Sequence, residues 1–131
     1  MLTPAEARRR WRGVVAPIVT PFADDLSVDL PALRSNLRLL FDRGAVAGNT
    51  ILLVAGSGGD WPMMNIDERK SVIEAACEVN DGRLPMLAAA QSFDIRDSVV
   101  LARFCEGLGV DAIQIGAPAY WSGTRATSWR G

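Results

Sequence analysis

Four short apolar runs, separated by segments with helical periodicity, constrain the fold of this chain more than any other feature. Each run is rich in aliphatic residues, which is typical of strands buried on both faces of a parallel sheet. The runs are GVVAPIVT at 13–20, NTILLVAG at 49–56, LPMLAAA at 84–90 and VDAIQIG at 110–116. Their spacing of about 30 residues is that of repeated right-handed βαβ units.

Capping residues precede each helical segment. Thr3 and Glu6 have the spacing of a capping box, and three further N-cap candidates stand before the later helical patterns, at Asp29, Asn65 and Asp94. The predicted order is therefore (α)βαβαβαβ. Such chains form either an open doubly wound sheet or a (β/α)₈ barrel, and in both the chemistry lies at the carboxyl ends of the strands.

Composition excludes several classes of function. The chain has 131 residues, enough for one modest domain, and a formal net charge of −1, which favours neither nucleic acid nor a membrane surface as partner. It has no histidine and two cysteines, Cys77 and Cys105. We expect free buried thiols, no metal or haem site and no cofactor. With no secretory signal or membrane span in the sequence, we expect a cytoplasmic location.

The stretch VAGSGGDWP at 54–62 follows the second strand run and precedes the helix predicted from Asn65. Its three glycines suit a tight βα turn, which would have only a structural role. They do not have the spacing of a dinucleotide fingerprint, and the Gly-Lys-Ser/Thr of a phosphate-binding loop is absent. The other interpretation left open is a loop whose backbone N–H groups and Ser57 hydroxyl bind a carboxylate or oxyanion.

Three further residues are candidates for chemistry. Tyr120 follows the fourth strand run, where a tyrosine either packs or transfers a proton. Asp60 is either a ligand or base, or a helix cap or salt-bridge partner. Lys70, the only lysine, falls at the edge of the apolar face of its helix, and we expect it to be solvated.

Read in order, four segments of the chain resemble the dihydrodipicolinate synthase / N-acetylneuraminate lyase family. They are GVVAPIVTPF at 13–22, VAGSGGDWPMMNIDERK at 54–70, NDGRLPMLAAA at 80–90 and GVDAIQIGAPAYW at 109–121. The family consists of class I aldolases and dehydratases that form a lysine Schiff base on a (β/α)₈ barrel. The resemblance implies an α/β partial barrel of about four βα units, with an N-terminal helix at 1–12, a half-barrel at 13–121 and an irregular tail at 122–131.

The resemblance also implies a site. Ser57 falls on the family's first loop hydroxyl, which joins a proton relay, and Gly58 falls on the second, so that only backbone donors from Gly56 to Gly59 remain to bind the carboxylate of a pyruvate-type 2-keto acid. Asp60 stands where the family has glutamate. Tyr120 is the implied second catalytic residue, reaching the site of a neighbouring subunit in a homo-oligomer.

The family's imine-forming lysine, carboxylate-binding arginine and second relay tyrosine lie on later strands than these. By the resemblance, this chain supplies half of a lyase pocket without the nucleophile and is inactive alone. Two alternatives from other classes are a small non-catalytic anion-binding module and a half-barrel that self-associates to cover its open edges.

Overall fold

The structure, a computed structural model, describes residues 3–116. Four helices and four strands alternate along them, with two short 3₁₀ turns before the third helix. The elements are α1 (Pro4–Arg10), β1 (Val14–Pro17), α2 (Leu30–Asp42), β2 (Thr50–Val54), the 3₁₀ turns Ser57–Gly59 and Trp61–Met63, α3 (Ile66–Asn80), β3 (Met86–Ala89), α4 (Ile95–Gly107) and β4 (Ala112–Gln114). The predicted order of elements is confirmed, with shorter strands than the apolar runs.

The strands form one parallel sheet in the order β1-β2-β3-β4. A doubly wound sheet reverses its strand order at a switch point, whereas a (β/α)₈ barrel adds each strand next to the previous one. No reversal occurs within residues 3–116, so the architecture is that of a partial barrel. Right-handed crossovers in this order place α2, α3 and α4 on the same face of the sheet.

The core lies between that face and the helices. Alternate strand residues point toward the helices, and Leu52, Val54 and Ala88 are fully buried there against Leu33, Leu37, Ile73 and Leu101. Burying one such leucine or isoleucine contributes about 1.5–3 kcal/mol to folding. This packing fixes the carboxyl ends of the strands and, with them, the loop after β2.

The prediction that the first strand run is buried on both faces is wrong. Val14 is 70% exposed because β1 is an edge strand with a neighbour on one side only, and Val15 is 44% exposed because it lies on the face of the sheet opposite the helices. Ile115, just after β4 at the other edge, is 60% exposed. An apolar run indicates a strand, but it does not indicate which strands of the described segment stand at the edges.

The predicted helix caps are all present. Thr3 with Glu6 and Asn65 with Glu68 form capping boxes, while the carboxylates of Asp29 and Asp94 accept from backbone N–H groups at the starts of α2 and α4. Cys77 and Cys105 are free thiols, as expected, but only Cys105 is buried, and Cys77 is half-buried. Among residues 3–116, none of the helices has the length and apolar character needed to cross a membrane.

Candidate functional site

The loop after β2 folds into two successive 3₁₀ turns. The N–H groups of Gly59 and Trp61 both donate to the carbonyl of Gly56, at 3.0 and 3.4 Å. Asp60 joins the turns with left-handed backbone angles, φ 53° and ψ 39°, a conformation that aspartate tolerates better than most residues. The chain therefore reverses direction sharply at the carboxyl end of the sheet before α3 begins.

Gly59 anchors this loop to the end of β1. The Thr20 hydroxyl donates to the Gly59 carbonyl at 2.7 Å in a buried position. A Cβ at residue 59 would lie 2.7 Å from the Ile18 carbonyl oxygen, closer than real Cβ atoms approach. The close approach of two backbones thus requires glycine here.

Gly56 and Gly58 bring the loop down over the barrel-facing side of the first two strands. A Cβ at residue 58 would lie 3.0 Å from the Pro17 Cβ, and one at residue 56 would lie 3.3 Å from the Leu53 Cγ. A serine or threonine at residue 58 would therefore require Pro17 to move. Glycine at residue 58 therefore fits against Pro17.

The exposed part of the loop is a small set of hydrogen-bond donors. Ser57 and Gly58 are exposed and lie in the first turn of a 3₁₀ helix, where backbone N–H groups have no intrahelical acceptor. The Ser57 hydroxyl makes no hydrogen bond within residues 3–116. Two neighbouring N–H groups and one hydroxyl in this arrangement can bind a carboxylate or an oxyanion.

The five loop candidates, Gly56 to Asp60, lie together in the two 3₁₀ turns, and Lys70 lies elsewhere. Asp60 is exposed, and within the described residues its carboxylate makes no ion pair and caps no helix, so it has neither structural role considered from the sequence. Lys70 pairs with Asp67 at 3.4 Å and lies 5.9 Å from the Phe104 ring of α4, away from the loop. Tyr120 lies outside the described residues.

Sequence reasoning missed Gln114. It is on β4 and exposed, and its Oε1 lies 3.7 Å from where a Cβ of Gly56 would be, so its amide stands beside the glycine loop. Gln114 is the one polar side chain in the run AIQIG, and this break in an apolar strand was the available signal. A side-chain amide at this place adds a donor and an acceptor to the loop.

Arg69 was missed as well. It is only 3% exposed, and its guanidinium donates to the carbonyls of Ala89 and Gln91 at the end of β3, both at 2.8 Å. Burial lowers the pKa of the guanidinium, while Cys105 and Asp97 act in the opposite direction. The signal was its place in the helical period, three residues after Ile66 and four before Ile73, within the apolar face of α3.

Two surface cavities within the described residues lie away from the loop. One, of about 440 Å³, lies between the starts of α2 and α3 and includes Ser27, Asn65 and Ser71. The other, of about 250 Å³, lies at the opposite end of the sheet beside Arg10 and Asp111. Neither of these two cavities includes a residue from Gly56 to Asp60.

Comparisons with known proteins agree with this geometry. The profile of the Dihydrodipicolinate synthetase family matches residues 10–128. A 4-hydroxy-tetrahydrodipicolinate synthase from Methanococcus aeolicus is 34% identical over 109 residues, which are 83% of this chain and 36% of that protein.

Among solved structures, N-acetylneuraminate lyase from Proteus mirabilis is similar with a TM-score of 0.79 and 28% identity over 88% of this chain and 38% of that one. A prophage protein of the dihydrodipicolinic acid synthase family from E. coli K12, solved in complex with pyruvate, has a TM-score of 0.78, 27% identity and the same coverage. This chain spans just over a third of the length of these relatives. By sequence and by fold, the chain belongs to the dihydrodipicolinate synthetase family.

Proposed function

We propose that this chain contributes the carboxylate-binding and proton-relay part of a Schiff-base lyase site that acts on a pyruvate-type 2-keto acid. The observation that carries the proposal is the exposed Ser57-Gly58 turn, with free N–H donors at the carboxyl end of β2, in a member of this family. Catalytic groups of (β/α)₈ enzymes lie at this end of the strands.

The proposed chemistry uses the loop in two ways. In a Schiff-base mechanism an amine attacks the keto carbon, and the carbinolamine then loses water to give the imine. The N–H groups of Ser57 and Gly58 hold the substrate carboxylate, and a hydrogen bond to a charged group contributes about 1.5–3 kcal/mol. This contact aligns the carbonyl with the amine, while the Ser57 hydroxyl and the Tyr120 phenol pass the protons that addition and dehydration require.

The amine itself is proposed to come from another part of the enzyme. Lys70 is the only lysine of the sequence, and it lies over Phe104 between α3 and α4, on the helical side of the sheet. A Schiff-base lysine needs a desolvated position beside the substrate carbonyl, which Lys70 does not have. This chain is therefore proposed to bind substrate without converting it.

Borohydride trapping tests this assignment. The chain is incubated with pyruvate, reduced and examined by intact mass, with the M. aeolicus relative as a positive control. We expect an adduct on the relative and none on this chain. An adduct that disappears in the Lys70→Arg variant would contradict the assignment, because it would place the imine on Lys70.

Self-association is a second part of the proposal, and exposed apolar side chains of the β1 segment support it. Val15 and Val19 lie on the barrel-facing side of the β1 segment and are 44% and 57% exposed. We propose a homo-oligomer that covers them, in the cytoplasmic location that the free thiols suit. Sedimentation should show a larger species that the Val19→Ser variant weakens and the Val46→Ser variant, at an exposed loop position, does not. A stable monomer would exclude this part.

A further inference from the structure

Arg69 is a buried charge that no carboxylate neutralises directly. Among residues 3–116 it is the only charged side chain that is buried, and it makes no ion pair within 4.0 Å. Its Nε is also buried without a hydrogen-bond partner. Desolvating a guanidinium is costly, so a position this deep needs compensation from fixed neighbours.

The compensation comes from parts of the chain that meet at the carboxyl end of the sheet. Besides the two carbonyls after β3, the guanidinium carbon lies 5.2 Å from the centre of the Trp61 ring, within the range of a cation–π contact. Trp61 in turn packs against Phe93, with ring centres 5.1 Å apart and the ring planes tilted by 43°. One side chain thus links α3, the end of β3 and the loop that carries Ser57 and Gly58.

Arg83 has the same types of contact as Arg69, but its hydrogen bonds are local in sequence. It also lies over an aromatic ring, 3.8 Å from the centre of Phe41, and donates to two carbonyls, those of Val79 and Asn80. Both acceptors are within four residues of Arg83, whereas those of Arg69 are 20 and 22 residues away. The hydrogen bonds of Arg83 therefore close the end of the preceding helix, α3, whereas those of Arg69 join α3 to the end of β3.

We propose that Arg69 is a positioning residue for the glycine loop. By holding the Trp61 ring against the end of β3, it fixes the second 3₁₀ turn, and through it the direction of the Ser57 and Gly58 N–H groups. That this orientation helps to bind a carboxylate rests on the proposed function of the loop. The positioning itself does not depend on a ligand and is measured separately.

Amide hydrogen exchange on the 131-residue chain tests the positioning. The probes are the N–H groups of Gly59 and Trp61, both bonded to the Gly56 carbonyl. Relative to global stability, the Arg69→Met variant should raise exchange at both amides by about tenfold, as for a lost local hydrogen bond. The matched Arg83→Met variant should leave both unchanged. Arg69→Lys, which keeps the charge but not the planar fork, should fall between.

The outcomes separate two ideas. If Arg69→Met and Arg83→Met lower global stability alike and leave exchange at Gly59 and Trp61 unchanged, Arg69 is only structural and the inference is wrong. If Arg69→Met does not fold, the same comparison is made with Arg69→Lys and Trp61→Leu, and unchanged exchange at Gly59 in both overturns it. Pyruvate affinity is then measured on the same samples: a wild-type chain that does not bind pyruvate contradicts the proposed function, whatever the exchange shows.

Discussion

Polar groups at the two ends of the sheet differ in the partners that they have. At the amino ends of the strands, polar groups pair with one another. The Asn80 side chain accepts from the Leu84 N–H at 3.0 Å and donates to the Leu84 carbonyl at 2.9 Å. Asp111 accepts from the Met86 N–H at 3.0 Å and pairs with Arg10 at 3.2 Å.

At the carboxyl ends, several polar groups have no side-chain partner of opposite charge. Ser57 and Gly58 present free donors, Asp60 makes no ion pair within the described residues, and Arg69 has only carbonyls and an aromatic ring as direct partners. The contrast fits the division of labour in barrels, where one end contributes stability and the other contributes the site. We therefore expect some substitutions to change stability without changing binding.

The largest effect on stability is expected at Gly59, which anchors the glycine loop to the end of β1. In the Gly59→Ala variant the new methyl group would meet the Ile18 carbonyl oxygen, so we expect a loss of about 3 kcal/mol in the free energy of unfolding. Gly107→Ala is the control, because it has open space in α4 and should be neutral or stabilising. Chemical denaturation measures both. Equal stabilities of the two variants would show that the Gly59 contact is not tight.

The second-largest effect on stability is expected at the amino ends of the strands, where Asn80 pairs with Leu84. Asn80→Ala leaves the buried N–H and carbonyl of Leu84 without their partner, and we expect a loss of about 2 kcal/mol. Pyruvate affinity of the folded fraction should not change, because Asn80 lies at the other end of the sheet. The exposed Asn36→Ala variant is the control and should remain within about 0.5 kcal/mol of wild type. A change in affinity for Asn80→Ala would break the contrast between the ends.

The smallest effect is a pH dependence of helix α1. The Thr3 hydroxyl, followed by the Thr3 backbone N–H, holds the pKa of the Glu6 carboxyl below its ordinary value of 4.5. Because the folded pKa is the lower one, this contribution to stability is present above pH 4.5 and is lost as the pH falls through the lowered pKa. Exchange of the first amides of α1 should therefore rise in acid. In Thr3→Ala the acid dependence should move toward pH 4.5, and an unchanged profile would exclude the Thr3 contact as its cause.

Local features of the fold were predictable from the sequence. Capping residues at Thr3, Asp29, Asn65 and Asp94 act within three residues of themselves, so their spacing is visible in the chain. The apolar runs indicated the strands for the same reason. The exposure of their side chains was not predictable, because it depends on which strands lie at an edge and on which face of the sheet the helices cover.

The site was predictable only in part. The glycine loop was placed correctly after β2, since a βα junction with three glycines is a local signal. The contact of Thr20 with Gly59 joins residues 39 apart, and those of Arg69 join residues 20 and 22 apart, so neither has a local pattern. The roles proposed for Ser57 and Asp60 stay predictions, as does that of Tyr120 outside the described residues.

The central claim is that the Ser57-Gly58 turn binds a carboxylate, and a titration of ¹⁵N-labelled chain with pyruvate tests it most directly. We expect saturable amide shifts at Ser57 and Gly58, weakened in the Ser57→Ala variant, and none with acetone, which has the carbonyl but no carboxylate. The amides of Arg83 and Asp111 at the other end of the sheet should not move. Shifts that are absent from the loop, or equal for pyruvate and acetone, would contradict the claim.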